Sequence, residues 1–399
     1  MNPTIVTLRE IAENLPCSYG EDLGINELTA PVVKVSNIDS VGEFHKSFEE
    51  RSFTKKELQR LLVKEGELLV VKSSGSKTNV LSGKTAICTT ELANKIVASN
   101  FVMRIKPNPN KVDSRYLWRY LNSSNSKEFV KKVVGTTTYP NLRWETYSEH
   151  PIPLPPLDEQ RRIASILDKA DAIRRKRQES IRLTEEFLRS TFLEMFGDPV
   201  TNPKRWEVKQ LADVVAPGRI VTYGIVQAGP HIEDGVPYIR TGDIQNGKIK
   251  TEGLQRTCKE IAQSYKRSEV NVGDLVMSIR ATVGTIAELP EELNGANLTQ
   301  GTARISPGPN ALKSYLLWAI RSKASQDWIQ KQVKGATFKE ITLGKLRELP
   351  ILVPPLNLQR KFCEISQRCN DLNIRLNDQI EEAGVFFNSL THRAFRGEL

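Results

Sequence analysis

Two stretches of the chain place mostly apolar residues three and four positions apart for longer than an ordinary surface helix requires. The first runs through Ile163, Ile166, Ala170, Ile173, Arg177, Ile181, Thr184, Leu188 and Met195. The second runs through Phe362, Ile365, Cys369, Leu372, Leu376, Ile380, Ala383, Phe387 and Leu390. That spacing makes one apolar stripe on a helix and, sustained over several heptads, a coiled-coil seam. Each stretch opens behind a proline pair, "LPPLDEQRR" at Leu154–Arg162 and "VPPLNLQRK" at Val353–Lys361. Proline is tolerated before a helix or in its first turn, so these pairs fix where the helices begin. "FGDP", Phe196–Pro199, stops the first helix with a glycine and then a proline. Each helix would hold about 35–40 residues and extend roughly 50–60 Å at 1.5 Å per residue. A helix that long with one narrow stripe needs a partner, and the sequence offers its own twin, in an antiparallel pair.

The segments before the helices also repeat. Shifted by about 200 residues, "LREIAENL" (Leu8–Leu15) meets "VKQLADVV" (Val208–Val215), and "RIKPNPN" (Arg104–Asn110) meets "RISPGPN" (Arg304–Asn310). "YLWRY" (Tyr116–Tyr120) meets "LLWAI" (Leu316–Ile320), and "VVGTT" (Val133–Thr137) meets "VKGAT" (Val333–Thr337). Matches in one order at nearly one offset mark an internal repeat. Within each repeat, "EGELLVVKSSGS" (Glu65–Ser76) and "VGDLVMSIRATVG" (Val272–Gly284) share a Gly-acid turn, an apolar strand and a polar tip. "NFVMRI" (Asn100–Ile105) and "GTARI" (Gly301–Ile305) read as strands before Pro-rich turns, while "SRYLWRYLNS" and "SYLLWAIRSK" read as short amphipathic helices. The expected class is α+β: two mixed α/β modules joined by two long helices in an antiparallel coiled coil, with a pseudo-two-fold internal repeat. The boundaries expected are a first module over 1–152, a central helix over 153–199, a second module over 200–351 and a C-terminal helix over 352–399. Two unrelated domains, each with a surface helix, fit less well, because the stripes are too long and too alike to serve separate cores.

Composition narrows the class of partner. The 399 residues are 39% hydrophobic and 26% charged, ordinary for a folded soluble protein. No apolar run approaches the roughly 20 residues that span a bilayer. "MNPTIVTLRE" carries an acid early and lacks a signal-peptide apolar core, which points away from secretion. The five cysteines (Cys17, Cys88, Cys258, Cys363, Cys369) are scattered without a CxxC pair, and the four histidines are isolated. A reduced cytoplasm is expected, and no cysteine-built zinc site. A formal net charge of +10 suggests a polyanionic partner, usually nucleic acid, although a solvated basic surface has the same balance. "RRKRQ", Arg174–Gln178, is the densest basic run and reads either as a solvated face or as a partner surface.

Catalytic patterns fail on inspection. "LSGKT", Leu81–Thr85, ends like a phosphate loop but has Thr78 where that loop needs a glycine. Asp198 with Glu207-Val208-Lys209 resembles a metal nuclease set only loosely, since Asp198 sits in a helix stop and the first module has no equivalent acid-x-Lys. "LPPL" and "VPPL" lack the acid or amide and the aromatic of an adenine methyltransferase loop. No Ser/His/Asp or Cys/His arrangement is present. The modules carry instead loops dense in Gly, Asn, Thr and Gln with single basic residues: "VTYGIVQAG", "IRTGDIQNGK", "IRATVG" and "ANLTQGT". In a nucleic-acid reader small residues allow close approach, amides and arginine pair with base edges, and hydroxyls reach phosphates. The same residues also suffice as turn chemistry alone.

Taken together, the chain resembles the specificity (S) subunit family of type I restriction-modification systems, over essentially its whole length. The resemblance is carried by "PLPPLDEQRRIASILDKAD", "FLEMFGDP", "YGIVQAGPHIEDGVPYIRTGDI", "NLTQGTARI" and "SLTHRAFRGEL". It implies a non-catalytic subunit whose two target recognition domains each read half of a bipartite double-stranded DNA target. It also implies that the paired helices set the gap and dock two adenine methyltransferase (M) subunits, which bind S-adenosylmethionine, with restriction (R) subunits joining. No cofactor or metal is expected in this chain, and no membrane. The DNA-contacting residues expected are Tyr223, Gly224, Gln227, Arg240, Thr241, Asp243, Arg280, Thr282, Asn297, Thr299 and Gln300 in the second module. In the first they are Lys72, Ser73, Ser74, Lys77, Asn79, Ser99 and Asn100. The spacer seam is expected at Ile163, Ile166, Ala170, Ile173, Ile181, Leu188, Phe362, Ile365, Leu372, Leu376, Ile380 and Phe387. The competing readings are a self-sufficient nuclease or methyltransferase, and a DNA scaffold with no methyltransferase partner.

Overall fold

The computed structural model describes residues 3–26, 28–44, 47–73, 81–134, 141–335 and 339–398. The chain divides into two compact units, one of Met1–Gln178 with Asp378–Leu399 and one of Glu179–Asn377. The first contains, in order, β1 (Thr4–Thr7), α1 (Leu8–Ile11), β2 (Ala12–Leu15), β3 (Leu28–Val33), β4 (Glu49–Phe53), α2 (Lys55–Leu61), β5 (Leu68–Val71), β6 (Thr85–Ile87), β7 (Val97–Ala98) and β8 (Val102–Pro107). It continues with α3 (Ser114–Leu121), α4 (Ser124–Val134), α5 (Trp144–Tyr147), β9 (Pro151–Leu154) and the start of the 40-residue helix α6 (Leu157–Phe196). The second unit takes up the end of α6, then β10 (Glu207–Gln210), α7 (Leu211–Val214), β11 (Thr222–Tyr223), β12 (Val236–Ile239), β13 (Ile244–Gln245), β14 (Lys248–Ile249) and β15 (Arg256–Thr257). After these come α8 (Lys259–Ser264), β16 (Leu275–Ser278), β17 (Ile286–Glu288), β18 (Asn297–Leu298), β19 (Thr302–Ile305), α9 (Lys313–Arg321), α10 (Lys323–Gln332), α11 (Leu343–Arg347), β20 (Pro350–Val353) and the start of the 40-residue helix α12 (Leu356–Phe395).

The repeat is a repeat of topology. Among the described residues, sheet β2-β8-β5-β6 of the first unit matches sheet β11-β19-β16-β17 of the second. Sheet β4-β3-β7 matches β15-β12-β18, and in both the middle strand pairs one neighbour antiparallel and the other parallel. Leu68 faces Ile105 as Leu275 faces Ile305. The turns into β5 and β16 use Gly66 at φ +78° and Gly273 at φ +99°, a region that favours glycine. Side chains alternate across each strand, so one sheet face packs on helices and the other on the smaller sheet. In β5, Leu68 and Val70 join the core with Tyr116, Leu117 and Tyr147, whereas Leu69 and Val71 join Val33, Ile38 and Ile96. In β16, Leu275 and Met277 pack with Tyr315 and Leu316, and Val276 packs with Ile239 and Leu298.

Both helix starts are pinned by one glutamine. Gln160 Oε1 accepts from Asp113 N at 2.8 Å, and its Nε2 donates to Lys111 O at 3.1 Å and Pro155 O at 2.8 Å. Gln359 accepts from Leu312 N at 2.8 Å and donates to Asn310 O at 2.9 Å and Pro354 O at 2.8 Å. Helix α6 ends at Gly197, φ +81°, whose N–H caps Leu193 O at 2.8 Å.

The long helices run antiparallel within each unit. In the first, Ile163, Ala164 and Leu167 of α6 share a core with Ala394 and Phe395 of α12, and Arg177 donates to Gln379 O at 2.7 Å. In the second, Leu188, Phe192 and Phe196 share a core with Phe362, with Ile365 and Cys369 against it. Of the expected seam, Ile163, Leu188 and Phe362 are buried, and Ile166, Ala170, Ile181, Ile365, Leu376, Ile380 and Phe387 are half-buried. Ile173 and Leu372 are corrections: they lie 52% and 48% exposed. The inward line passes one residue later at both points, through half-buried Arg174 and Asn373, because a 3.6-residue helix drifts against a fixed 3-and-4 count. No helix among the described residues is long and apolar enough to cross a membrane.

Candidate nucleic-acid interface

In the second unit the tips of several strands meet at one end of the sheets. Strand β12 leads into a 3-10 turn, Thr241–Asp243, and β18 turns into β19 through Thr299–Gly301. Thr299 N donates to Ile239 O at 3.2 Å, and Thr302 Oγ1 donates to the same carbonyl at 3.0 Å. The chain after β11 joins them: Gly224 N donates to Thr299 O at 3.1 Å and Gln300 N to Ile225 O at 2.9 Å. A Cβ on Gly224 would lie 1.9 Å from Leu298 O, so only glycine permits this approach. A Cβ on Gly301 would meet Thr241 Cγ2 at 2.9 Å, with Arg280 Cβ and Thr299 Oγ1 each at 3.8 Å. Thr241, Arg280, Thr299 and Gln300 are therefore gathered around one glycine, with Tyr223 and Gly224 on the adjoining strand. Gln227 and Thr282 are exposed on flanking loops, Thr282 Oγ1 lying 3.2 Å from Ser278 Oγ.

Two of the expected contacts are internal. Asn297 is 2% exposed; its amide accepts from Ser268 Oγ at 2.6 Å and from Leu298 N at 2.9 Å, and donates to Ala262 O at 3.1 Å. It ties β18 to the segment after α8. Asp243 is 5% exposed and holds Arg240, whose Nε and Nη2 donate to its carboxylate at 3.0 and 3.1 Å. That pairing raises the Arg240 pKa further. Arg280, half exposed, forms an ion pair with Glu340, Nε lying 3.0 Å from Oε2.

The first unit has the same frame with different side chains. The Ser73–Asn141 bridge occupies the place of the Arg280–Glu340 bridge. Lys72 N donates to Phe101 O at 2.9 Å and Leu142 N to Lys72 O at 2.8 Å, as Ile279 and Ile341 do in the second unit. Asn100 is exposed. Ser99 is fully buried beneath the tip, its hydroxyl without a hydrogen-bond partner among the described residues, so it too is no surface contact. Ser74, Lys77 and Asn79 lie outside the described residues.

A cavity of about 880 Å³ opens at this tip, lined in part by Tyr19, Lys34, Lys84, Asn100 and Phe101. Phe101 is 52% exposed. Lys34 pairs with Glu49 and lies 5.1 Å from the Tyr19 ring centroid. Its hydrogen bond is the main cause of a lowered Tyr19 pKa. Lys34-Val-Ser-Asn37 matches Arg240-Thr-Gly-Asp243 in residue type but shares no identical residue, so the sequence alone does not single out Lys34.

The enzymatic near-misses have structural roles. "LSGKT" is the β5–β6 connection, with Gly83 N donating to Val71 O at 2.8 Å, and no helix follows it as a phosphate loop requires. Asp198 caps a turn through Val200 N at 2.7 Å, and Glu207 pairs with Lys209 at 3.4 Å along β10. Among the described residues no three His, Cys, Asp or Glu gather as a metal site. In "RRKRQ", Arg174 and Arg175 are engaged by buried Asp171, at 2.7 and 2.5 Å.

The family model for the type I restriction modification DNA specificity domain matches residues 49–184 and again 203–383. The Type I restriction enzyme EcoBI specificity subunit of Escherichia coli is 25% identical over 331 residues, 75% of this chain and 68% of that one. A chain from a structure on complex assembly and conformational transition of the type I R-M system aligns over 100% of this chain and 98% of its own, at 20% identity and TM-score 0.59. The type I restriction-modification system S subunit from M. genitalium aligns over 99% of both chains, at 14% identity and TM-score 0.54. These two structures share the fold.

Proposed function

Because the chain belongs to the family of type I restriction-modification DNA specificity subunits, a non-catalytic family, we propose that each of its two modules reads one half of a split double-stranded DNA target. The observation that carries this reading is the pair of modules with one strand order and one tip geometry whose tip side chains differ. Equivalent frames give equivalent docking on the duplex; different tips give different bases. Helices α6 and α12 act as the spacer that sets the gap, since half-site separation follows the distance between readers.

The same helices dock two adenine methyltransferase subunits. Twin positions on them leave large apolar side chains exposed: Ile173 and Leu372 at 52% and 48%, Phe187 and Phe386 at 55% and 60%. Matching exposed residues on two repeated helices suit two copies of one partner. S-adenosylmethionine belongs to those methyltransferase subunits and not to this chain. Restriction subunits complete the complex, and the whole works in the cytoplasm. The DNA-facing residues are Tyr223, Gly224, Gln227, Arg240, Thr241, Arg280, Thr282, Thr299 and Gln300 of the second module, with Lys72, Ser73 and Asn100 of the first.

The test is a map of adenine methylation in cells carrying this chain with its methyltransferase, against cells with the methyltransferase alone. A two-part adenine motif that depends on this chain is the expected result; its absence overturns the reading. Four residues inserted after Lys176 add one helical turn, about 6 Å. The expected outcome is a changed gap or lost methylation with both half-sites unaltered in sequence, and an unchanged gap sinks the spacer role.

A further inference from the structure

The geometry points to guanine as a base read in the second module's half-site, by Arg240 and Arg280, with Asp243 and Glu340 as the residues that position them; this rests on the proposed reading of DNA by the modules. Arg240 stands at the end of β12 with the inner edge of its guanidinium fixed, Nε and Nη2 donating to Asp243 at 3.0 and 3.1 Å. Asp243 is itself fixed, being 5% exposed and accepting the Arg240 N–H at 2.9 Å. The Arg240 side chain is nonetheless 45% exposed, so its outer edge, with Nη1, faces solvent. Arg280 is held through Nε by Glu340 at 3.0 Å, and the two segments are tied by Ala281 N donating to Lys339 O at 2.9 Å. Among the described residues, neither Nη group of Arg280 has a hydrogen bond.

An arginine held along one edge presents a rigid pair of N–H donors. In the major groove guanine alone offers two adjacent acceptors, N7 and O6, to such a fork; adenine and cytosine place an amino donor there and thymine a methyl group beside one acceptor. Preorganisation by a carboxylate also removes much of the rotamer entropy that an unheld arginine loses on binding. The two forks belong to one surface, since Thr241, next to Arg240, and Arg280 both lie within 4 Å of where a Gly301 Cβ would stand. Neither carboxylate is a free base reader: each is committed to its arginine, and one is buried.

The first module is an internal control. At the place of Arg240 and Asp243 it has Lys34 and Asn37, with the same backbone hydrogen bond, Lys34 N to Asn37 Oδ1 at 2.8 Å. At the place of Arg280 and Glu340 it has Ser73 and Asn141. The frame is retained while both arginines and both carboxylates are gone, so the fork serves one half-site and not the frame.

The experiment is the methylation map, made with the full chain and its methyltransferase, for the wild type and for Arg240→Gln, Arg280→Gln, Asp243→Asn and Glu340→Gln. The expected wild-type motif contains guanine in the half-site that the arginine variants alter. Each arginine variant should lower methylation of guanine-bearing sites at least tenfold relative to sites with another base at one position, leaving the other half-site untouched. Asp243→Asn retains the turn, as Asn37 does in the first module, and should relax the same position as Arg240→Gln by a smaller factor; Glu340→Gln should do so for Arg280. Variants that weaken both half-sites alike, arginine variants that leave the motif unaltered, or an altered half-site without guanine each overturn the assignment while the two-part reading stands. A wild-type chain that directs no two-part methylation overturns both.

Discussion

The two modules bury an arginine at the same position of the same strand and satisfy it differently. In the first, Arg104 Nε and Nη2 grip Glu67 at 2.6 and 3.1 Å, and its remaining donors reach Arg60 O, Leu61 O and Leu62 O at 3.0, 3.1 and 2.8 Å. That one side chain closes the end of α2 onto the sheet. In the second, Arg304 donates from Nη1 to Glu269 O at 2.8 Å, but its Nε has no partner among the described residues. The twin carboxylate is Asp274, one methylene shorter, and it accepts from Ser306 Oγ at 2.5 Å and Asn271 N at 2.9 Å. Burial and nearby Arg219 lower the Arg304 pKa. The frame tolerates both solutions, so the ion pair is a feature of one module and not a requirement of the architecture.

Breaking the pair should separate the modules most. Glu67→Ala leaves Arg104 buried at 2% exposure with no carboxylate, at a cost of about 3–5 kcal/mol. Arg304→Met removes a charge that has no carboxylate partner among the described residues and should change stability by no more than about 1 kcal/mol in either direction. Hydrogen exchange on the full chain reads the two units separately. Equal loss of protection in both units, or a large loss from Arg304→Met, contradicts the comparison.

A second difference is one of pH. His150 is 1% exposed, stacked on Phe129 at 4.1 Å with Tyr120 and Tyr147 beside it, and its Nε2 lies 2.8 Å from Ser126 Oγ. Burial pushes its pKa down to about 4. The twin position is Leu349, also buried. A base whose folded pKa is depressed favours folding above its unfolded pKa near 6.5, because the unfolded chain takes the proton first. The first unit should therefore lose up to about 3 kcal/mol as pH falls from about 6.5 to about 4, and His150→Leu should remove that slope. Unfolding of the wild type and variant across this range decides it; an identical slope in both means other groups carry the acid sensitivity.

What the sequence displayed depended on whether a pattern was local. The long helices were legible because proline pairs, a 3-and-4 stripe and Gly197-Asp-Pro are written along the chain. The paired modules are legible from matches in one order at offsets near 200. The Lys34 twin of Arg240 is harder to see, because "KVSN" and "RTGD" have no identical residue. Asn297 and Ser99 read as polar tip residues, yet the parallel pairing of β18 with β12 and of β7 with β3 draws them inside. That pairing joins segments about 60 residues apart and leaves no local signature. A fixed 3-and-4 count turns Ile173 and Leu372 inward, but a slip of one residue rotates a helix side chain by about 100°, and both are exposed.

One further effect is one the modules should share. "LPPLDEQ" and "VPPLNLQ" differ in the residues between leucine and glutamine, yet Gln160 and Gln359 satisfy one backbone N–H and two carbonyls each in matching positions. Both glutamines are buried, at 1% and 0% exposure, so an alanine there strands those groups away from water. Leaving a buried polar group unsatisfied costs about 1–3 kcal/mol. Gln160→Ala should lower the stability of the first unit and Gln359→Ala that of the second, by similar amounts in that range, read as protection lost at each helix start. A loss confined to one of them would show that the shared proline-pair start is pinned by different means in the two halves.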